Sequence, residues 1–198
     1  MKELVERIEK DAVLLPGGVV IVSGFLNHRM DIGLIDSIGR EFYRLFADSR
    51  PDLILTVEAS GIGIACMAAR YFGVDMLFAK KTQSKNISYD TYSSMVRSFT
   101  RGTVFEVRVD KKLLPRGSRV LIIDDFLADG EALSGLIDIC GKAGATVVGA
   151  GVCIEKAFQP GGRKIRSMGI NLHSLAVADL ESDGTLCIRE ERDTVARD

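Results

Sequence analysis

Stretches of consecutive apolar residues alternate with helical stretches along most of the chain. The apolar ones include "VVIVSG" (19–24), "DLILTVE" (52–58), "RVLIIDD" (119–125) and "TVVGAGVCIE" (146–155). Strands that are apolar on both faces must be covered on both faces, which is typical of a parallel sheet flanked by helices. Between them, "DIGLIDSIGREFYRLF" (31–46) carries apolar residues at helical spacing. The sequence therefore predicts an α/β fold with a central, mainly parallel sheet.

Length and composition predict a single domain that binds neither nucleic acid nor a membrane. The 198 residues, 46% of them hydrophobic, can bury one core, so we expect a single domain over residues 1–198. The formal net charge of -1 offers no basic field for nucleic acid. No apolar stretch is long enough to span a membrane, and "MKELVERIEK" at the start predicts an amphipathic helix rather than a signal peptide. We expect a cytoplasmic location.

One polar segment interrupts the alternation of strands and helices. It reads "TQSKNISYDTYSSMVRSF" (82–99), has no clear periodicity, and precedes the alternating stretch "TVFEVRVD" (103–110). Long irregular segments inside a domain are uncommon and often serve as functional lids. We expect a mobile lid or a hairpin at this point of the chain.

The strand at 119–125 ends in two adjacent aspartates, Asp124 and Asp125, and a short loop follows it. In an open parallel sheet, ligands bind beyond the carboxyl ends of the strands, where the helix N-termini point. Residues 128–132 open a helix, so their unpaired backbone N–H groups can bind a phosphate. The stretch "EASG" (58–61) repeats this arrangement one strand away. The pattern suits a ligand with phosphates at both ends.

The stretch "VLIIDDFLADGEA" (120–132) resembles the phosphoribosyl pyrophosphate motif of type I phosphoribosyltransferases. Together with "SGFLNH" (23–28), "EASGIG" (58–63) and "IEKAFQPG" (154–161), in this order, it makes the whole chain similar to the bacterial xanthine phosphoribosyltransferases. The resemblance implies the type I phosphoribosyltransferase fold, with a small base-binding hood. It also implies a purine salvage reaction in which a purine base displaces pyrophosphate from C1 of phosphoribosyl pyrophosphate.

The resemblance and the chemistry of the reaction give roles to individual residues. Asp124 and Asp125 are expected to bind the ribose hydroxyls, directly or through Mg²⁺ that arrives with the polyphosphate. The residues expected to bind phosphoribosyl pyrophosphate are Ala128, Asp129, Gly130, Glu131, Ala132, Ala59, Ser60, Gly61 and Lys81. Those expected to bind the base are Val20, Asn27, Lys156 and Phe158. Ser60 is also expected to cap the helix that follows it. A homodimer is the expected assembly.

The phosphate loop departs from the family pattern. Relatives read Ala-Asn-Gly-Gln-Ala where this chain has Asp129 and Glu131 in place of the two amides. A carboxylate close to a bound phosphate repels it at a cost of about 1 kcal/mol per pair in water. Carboxylates at a helix N-terminus also interact favourably with the helix dipole. We expect both side chains to turn outward and to leave the backbone amides facing the ligand.

Two alternative functions are open at this point. Some purine-responsive transcription regulators keep this fold as a phosphoribosyl pyrophosphate sensor without catalysis, although no room for a winged helix precedes the first strand here. A phosphoribosyltransferase for another nucleobase, such as adenine or orotate, is the second alternative. Lysine only donates hydrogen bonds, so Lys156 near position 6 of the purine favours a carbonyl over the amino group of adenine. We expect xanthine first, then guanine, then hypoxanthine.

Overall fold

Strands and helices alternate in a computed structural model that describes residues 1–15, 17–81, 90–97 and 104–191. The helices are α1 Lys2–Asp11, α2 Ile32–Phe46, α3 Ile62–Phe72, α4 Glu131–Ala143 and α5 Gly161–Ser167. The strands are β1 Val13–Leu15, β2 Val19–Ile21, β3 Leu53–Val57, β4 Asp75–Ala79, β5 Thr91–Arg97, β6 Val104–Asp110, β7 Arg119–Leu127, β8 Thr146–Lys156, β9 Leu172–Leu180 and β10 Leu186–Arg189. A π-helical turn spans Ser23–Asn27, and 3₁₀ turns span Ala47–Ser49 and Lys111–Leu113.

The central sheet has the strand order β10-β9-β8-β7-β3-β4. β4, β3, β7, β8 and β9 run parallel, and β10 lies antiparallel to β9 at one edge. Helices α1, α2 and α3 cover one face, while α4 and α5 cover the other. On β7, Leu121 and Ile123 belong to the first core, and Val120 and Ile122 belong to the second. Burial on both faces explains why this strand is apolar throughout, and the predicted α/β sheet is confirmed.

The direction in which strands are added reverses between β3 and β7. From β3 the chain goes outward to β4, and it later returns to the other side of β3 to form β7, β8 and β9. At such a reversal, the connections leave neighbouring strands toward opposite faces and open a crevice at the carboxyl ends. The two phosphate-loop candidates, residues 58–61 and 128–132, follow β3 and β7. The topology therefore places both of them at one crevice.

The β1–β2 hairpin lies outside the central sheet, and we call it the hood. Its register sets Leu14 opposite Val20. The expectation that residues 19–24 form a strand of the parallel sheet is therefore wrong. Gly17 and Gly18 adopt φ angles of 81° and 73°, which let the chain turn back so that β2 pairs with β1. After Ile21 the backbone leaves the extended conformation and enters the π-helical turn.

The polar segment at 82–99 contributes to a second hairpin. Within it, Thr91–Arg97 pairs antiparallel with Val104–Asp110, so the expectation of a hairpin is confirmed for these residues. Val96 and Val107 pack into the core that α4 covers. Residues 82–89 and 98–103 lie outside the described ranges, and a mobile lid there stays a prediction.

Local sequence sets several helix ends. The Asp31 carboxylate accepts the N–H of Leu34 at 3.3 Å and caps α2. Gly73 and Gly144 each adopt a φ of 68° and end α3 and α4.

No helix in the described ranges is both long enough and apolar enough to cross a membrane.

Candidate active site

Asp124 and Asp125 lie side by side on β7 at the crevice, 4% and 7% exposed. The Asp124 carboxylate accepts the N–H of Asp125 at 3.0 Å. Burial raises the pKa of Asp124 well above its usual range, the charge of Asp125 raises it further, and the nearby charge of Lys81 opposes the shift. A buried pair of this kind gains from a hydroxyl donor or a cation, because either one compensates the charge that burial disfavours.

Asn27 reaches the acidic pair from the end of the π-helical turn. Its Nδ2 donates to Asp125 Oδ2 at 2.9 Å. An ionised carboxylate only accepts hydrogen bonds, so this contact directs the amide nitrogen toward Asp125 and turns the Asn27 carbonyl oxygen away from it. The sequence assigned Asn27 to the base and Asp125 to the ribose, and the structure brings the two side chains into direct contact.

The loop after β7 is braced by the start of α5. The N–H of Gly161 donates to the carbonyl of Ala128 at 3.0 Å. A Cβ on Gly161 would overlap that carbonyl and would lie 2.7 Å from the nitrogen of Gly130. Gly130 itself has a φ of 80° and precedes α4. The backbone of the loop is therefore held in place by Gly161, the last residue of the motif at 154–161.

The two carboxylates of this loop take different positions. Glu131 extends to Lys164 on α5, with 2.6 Å between its Oε1 and the Lys164 ammonium. Asp129 Oδ1 accepts the backbone N–H of Glu131 at 3.1 Å. The expectation that both carboxylates turn outward is wrong for Asp129, because a short Asp side chain readily accepts an N–H two residues ahead. One backbone amide of the loop is thus occupied by a carboxylate of the chain itself.

The loop after β3 carries the other phosphate-binding candidates. Ala59 is exposed and Ser60 is half-buried, and the peptide bond between Glu58 and Ala59 is cis. Gly61 occupies the position before α3, and no side chain caps this helix. The expectation that Ser60 caps it is therefore wrong. Lys81 follows β4, and its backbone N–H donates to Glu58 Oε1 at 2.5 Å. These residues form one border of the crevice.

Gly61 connects this loop to the acidic pair. A Cβ on Gly61 would overlap Thr56 Oγ1 and would lie 2.6 Å from Asp124 Oδ1. No larger residue fits at this position, because the space that a side chain would need is bounded by these two oxygens. The loop therefore lies directly against Asp124.

Lys156 and Phe158 meet the hood at the end of β8. The Lys156 ammonium donates to the Gly18 carbonyl at 3.1 Å and lies 5.8 Å from the centroid of the Phe126 ring. The ring of Phe158 packs so closely on Gly18 that a Cβ there would lie 2.5 Å from its Cζ. Partial burial lowers the pKa of Lys156. Val20, which is 8% exposed, belongs to the same hairpin, so the structure brings the remaining base candidates to the hood.

Besides Gly161, sequence reasoning missed three residues of this site. Thr56 is the polar residue in the otherwise apolar "LILTV" of β3, and Phe126 directly follows the two aspartates. Both positions carried a weak signal, since Thr56 places a hydroxyl inside a buried strand and Phe126 places an aromatic ring directly beside the two acids. Gly18 had only a weak signal, because paired glycines before a strand are also ordinary turn residues.

Comparisons with known proteins decide the family of this chain. The phosphoribosyl transferase domain matches residues 31–167. The chain belongs to the phosphoribosyltransferase family. The xanthine phosphoribosyltransferase of Lachnoclostridium phytofermentans is 52% identical to it, over 97% of this chain and 100% of that protein. The xanthine phosphoribosyltransferase of Bifidobacterium adolescentis is 50% identical, over 90% of this chain and 93% of that protein. The resemblance inferred from the motifs is confirmed.

Solved structures of other phosphoribosyltransferases share the fold. The adenine phosphoribosyltransferase of Giardia lamblia matches with a TM-score of 0.74 at 19% identity, over 89% of this chain and 98% of that one. That of Thermoanaerobacter pseudethanolicus matches with a TM-score of 0.71 at 19% identity, over 89% and 99% of the two chains. At identities this low, the structural matches bear on the fold alone. They confirm the type I phosphoribosyltransferase fold.

Proposed function

We propose that this phosphoribosyltransferase transfers the 5-phosphoribosyl group from phosphoribosyl pyrophosphate to xanthine, and less efficiently to guanine, as a step of purine salvage. The observation that carries the proposal is the 2.9 Å hydrogen bond from Asn27 to Asp125, which holds the proposed base-binding side chain against the proposed ribose-binding carboxylate. Relatives of 52% and 47% identity that bear the name xanthine phosphoribosyltransferase support the choice of base. The products are xanthosine monophosphate and pyrophosphate.

The reaction separates charge, and the crevice has groups for both signs. As the bond from C1 to pyrophosphate breaks, the leaving oxygen takes the electron pair, and positive charge develops on the ribose ring. In our proposal Asp124 and Asp125 accept hydrogen bonds from the ribose hydroxyls and stabilise that positive charge. Lys81 and the backbone amides of Ala59, Ser60 and Gly61 bind the departing pyrophosphate. The amides of residues 128–132 at the start of α4 bind the 5-phosphate, apart from the Glu131 N–H, which Asp129 occupies.

The acidic pair suits Mg²⁺ as part of a coordination sphere. Oxygen ligands are those that Mg²⁺ prefers, and this cation usually keeps phosphate oxygens and waters among its ligands. In the described ranges no group of three or more His, Cys, Asp or Glu side chains could hold a metal. Mg²⁺ would arrive with the polyphosphate, which would supply ligands to it, and Asp124 and Asp125 would add protein oxygens. Bound Mg²⁺ would neutralise negative charge on the polyphosphate.

Base selection follows from the two polar side chains near the hood. The Lys156 ammonium has three N–H groups, so it can donate to Gly18 and to a carbonyl at position 6 of the base at the same time. The Asn27 carbonyl oxygen, which faces away from Asp125, accepts an N–H from the opposite edge of the base. Xanthine offers a ring N–H beside its second carbonyl, guanine offers an amino group, and hypoxanthine offers neither. This chemistry favours xanthine and guanine over hypoxanthine, and the relatives named xanthine phosphoribosyltransferase support xanthine as the preferred base of the two.

The test is a product assay with phosphoribosyl pyrophosphate, Mg²⁺ and each of xanthine, guanine, hypoxanthine, adenine and orotate. We expect xanthosine monophosphate to form fastest and adenine and orotate to be rejected. Preference for adenine or orotate would contradict the proposal. Binding of phosphoribosyl pyrophosphate without product from any base would instead favour a sensor.

Substitution of Asp129 by Asn is expected to strengthen the binding of phosphoribosyl pyrophosphate. The Asn oxygen can still accept the N–H of Glu131, but the negative charge beside the phosphate is gone. A repulsion of about 1 kcal/mol corresponds to a KM for phosphoribosyl pyrophosphate that is lower by roughly fivefold. Initial rates at varied phosphoribosyl pyrophosphate and saturating xanthine measure it.

The matched control is Glu131→Gln in the same loop. Lys164 already compensates the charge of Glu131, so this variant should change the same KM by less than Asp129→Asn does. Equal effects of the two substitutions, or a higher KM in Asp129→Asn, would show that the Asp129 charge does not act on the ligand.

We also propose that the protein is a homodimer. The hood exposes an apolar strip whose side chains are each more than a third exposed: Val13, Leu14, Leu15, Val19 and Ile21. Strips of this kind commonly mark contacts between proteins. Light scattering of the purified protein should give twice the mass of 21.6 kDa, and a monomer at all concentrations would contradict it. The cytoplasmic location and the absence of nucleic-acid partners remain predictions.

A further inference from the structure

Thr56 is the polar residue of β3, and its side chain is completely buried. Among the residues that the structure describes, its hydroxyl has no hydrogen-bond partner. A buried hydroxyl without a partner lowers the stability of the folded state. Valine has nearly the same shape and would occupy this position without that cost. The presence of threonine therefore calls for an explanation other than packing.

The hydroxyl of Thr56 lies beside the carboxylate of Asp124. Both oxygens border the space that Gly61 leaves open, since a Cβ on Gly61 would overlap Thr56 Oγ1 and would lie 2.6 Å from Asp124 Oδ1. A hydroxyl donates and a carboxylate accepts, so the two groups are complementary. They are not hydrogen-bonded in the structure, although the same point beside Gly61 lies 2.2 Å from Thr56 Oγ1 and 2.6 Å from Asp124 Oδ1.

The Asp124 carboxylate has acceptor capacity to spare. It is 4% exposed, and it accepts the N–H of Asp125 at 3.0 Å. An ionised carboxylate offers about four acceptor positions, and in a buried site each unused position costs stability. A donor without an acceptor thus lies next to an acceptor that needs donors.

We propose that Thr56 is a positioning residue whose hydroxyl donates to Asp124 in the complex with phosphoribosyl pyrophosphate. The bond fixes that carboxylate for its contact with the ribose hydroxyl. The loop that carries Gly61 follows β3 directly, and binding of pyrophosphate to this loop brings the two oxygens into hydrogen-bond distance. The inference rests on the proposed function in one respect, which is that Asp124 binds the ribose.

The test compares Thr56→Val with Thr56→Ser. In Thr56→Val the unpartnered hydroxyl is gone, so the melting temperature of the free protein should be equal or higher, while kcat/KM for phosphoribosyl pyrophosphate should fall roughly tenfold. In Thr56→Ser the hydroxyl stays and a buried methyl is lost. That variant should melt at a lower temperature but should keep kcat/KM within about twofold of the wild type. Stability and activity should therefore change in opposite directions.

A role in packing alone predicts a different result, because activity would then follow stability. Loss of both in Thr56→Val, wild-type activity in Thr56→Val, or an equal loss of activity in both variants would each overturn the proposal. The control variant is Thr146→Val at the exposed start of β8, which should leave stability and kcat/KM nearly unchanged.

Calorimetric titration with phosphoribosyl pyrophosphate and Mg²⁺ separates this inference from the choice of base. Thr56→Val should bind this ligand measurably more weakly than the wild type, because the bond to Asp124 forms in the complex, although affinity should fall less than kcat/KM does. Equal affinity would overturn the role of Thr56 even in an enzyme that uses xanthine. Failure of the wild type to use xanthine would overturn the proposed function, and the affinity comparison would still test Thr56.

Discussion

Replacement of both Asp124 and Asp125 by Asn is expected to lower kcat by a factor on the order of 10²–10³, because two preorganised charges are removed. The positive charge that they stabilise on the ribose is fully developed only in the transition state. The KM for phosphoribosyl pyrophosphate should therefore rise much less than kcat falls. Steady-state rates with xanthine, at saturating phosphoribosyl pyrophosphate and Mg²⁺, measure the effect.

The stability of the ligand-free variant Asp124→Asn shows whether a loss of turnover comes from a loss of folding. Burial, followed by the charge of Asp125, raises the pKa of Asp124 in the folded protein. The folded state thus holds this proton more tightly than the unfolded state, and ionisation of Asp124 costs stability as the pH rises above its usual pKa. At neutral pH, Asp124→Asn should be at least as stable as the wild type.

A matched control for the acidic pair is Asp138→Asn on the exposed side of α4, where the carboxylate pairs with Lys142. It should leave kcat unchanged, since exposed ion pairs contribute little. Unchanged turnover in the double variant of Asp124 and Asp125 would remove these residues from the mechanism.

Substitution of Lys156 by Ala is expected to lower kcat/KM for xanthine by roughly 10- to 100-fold, because the carbonyl at position 6 is left without a donor in a partly buried site. Binding of phosphoribosyl pyrophosphate should stay nearly intact, since Lys156 contacts the hood and the Phe126 ring. Rates at varied xanthine and calorimetry with phosphoribosyl pyrophosphate measure the two effects. An unaffected xanthine turnover would show that Lys156 does not recognise the base.

The control is Lys112→Ala, a variant of an exposed lysine on the 3₁₀ turn Lys111–Leu113, which should change neither value.

Asn27→Ala is an informative contrast. The sequence alone assigns Asn27 to the base, and it therefore predicts that this variant affects only the use of xanthine. Because Asn27 donates to Asp125, we expect this variant to lower kcat as well, through the freed carboxylate. Equal profiles of Lys156→Ala and Asn27→Ala would mean that the Asn27 contact with Asp125 has no role in catalysis.

The sequence by itself determined the class of fold and the main chemistry of the site. β7 is buried on both faces, so its residues are apolar throughout and its pattern predicts a parallel sheet. At its end, Asp124 and Asp125 break the apolar run just before a loop that opens a helix, and that local order also carries the family motif. Burial and helix formation depend on residues close in the chain, so periodicity reveals them.

The position of the hood and the contacts within the site were decided only by the tertiary structure. Asn27 meets Asp125 across 98 positions of the chain, and Lys156 meets Gly18 across 138. The hairpin turn at Gly17 and Gly18 takes residues 19–24 out of the sheet, although their pattern is that of a buried strand. Strand order and side-chain packing set these pairings. No local pattern encodes them, because each partner alone is equally compatible with a turn, a cap or a surface position.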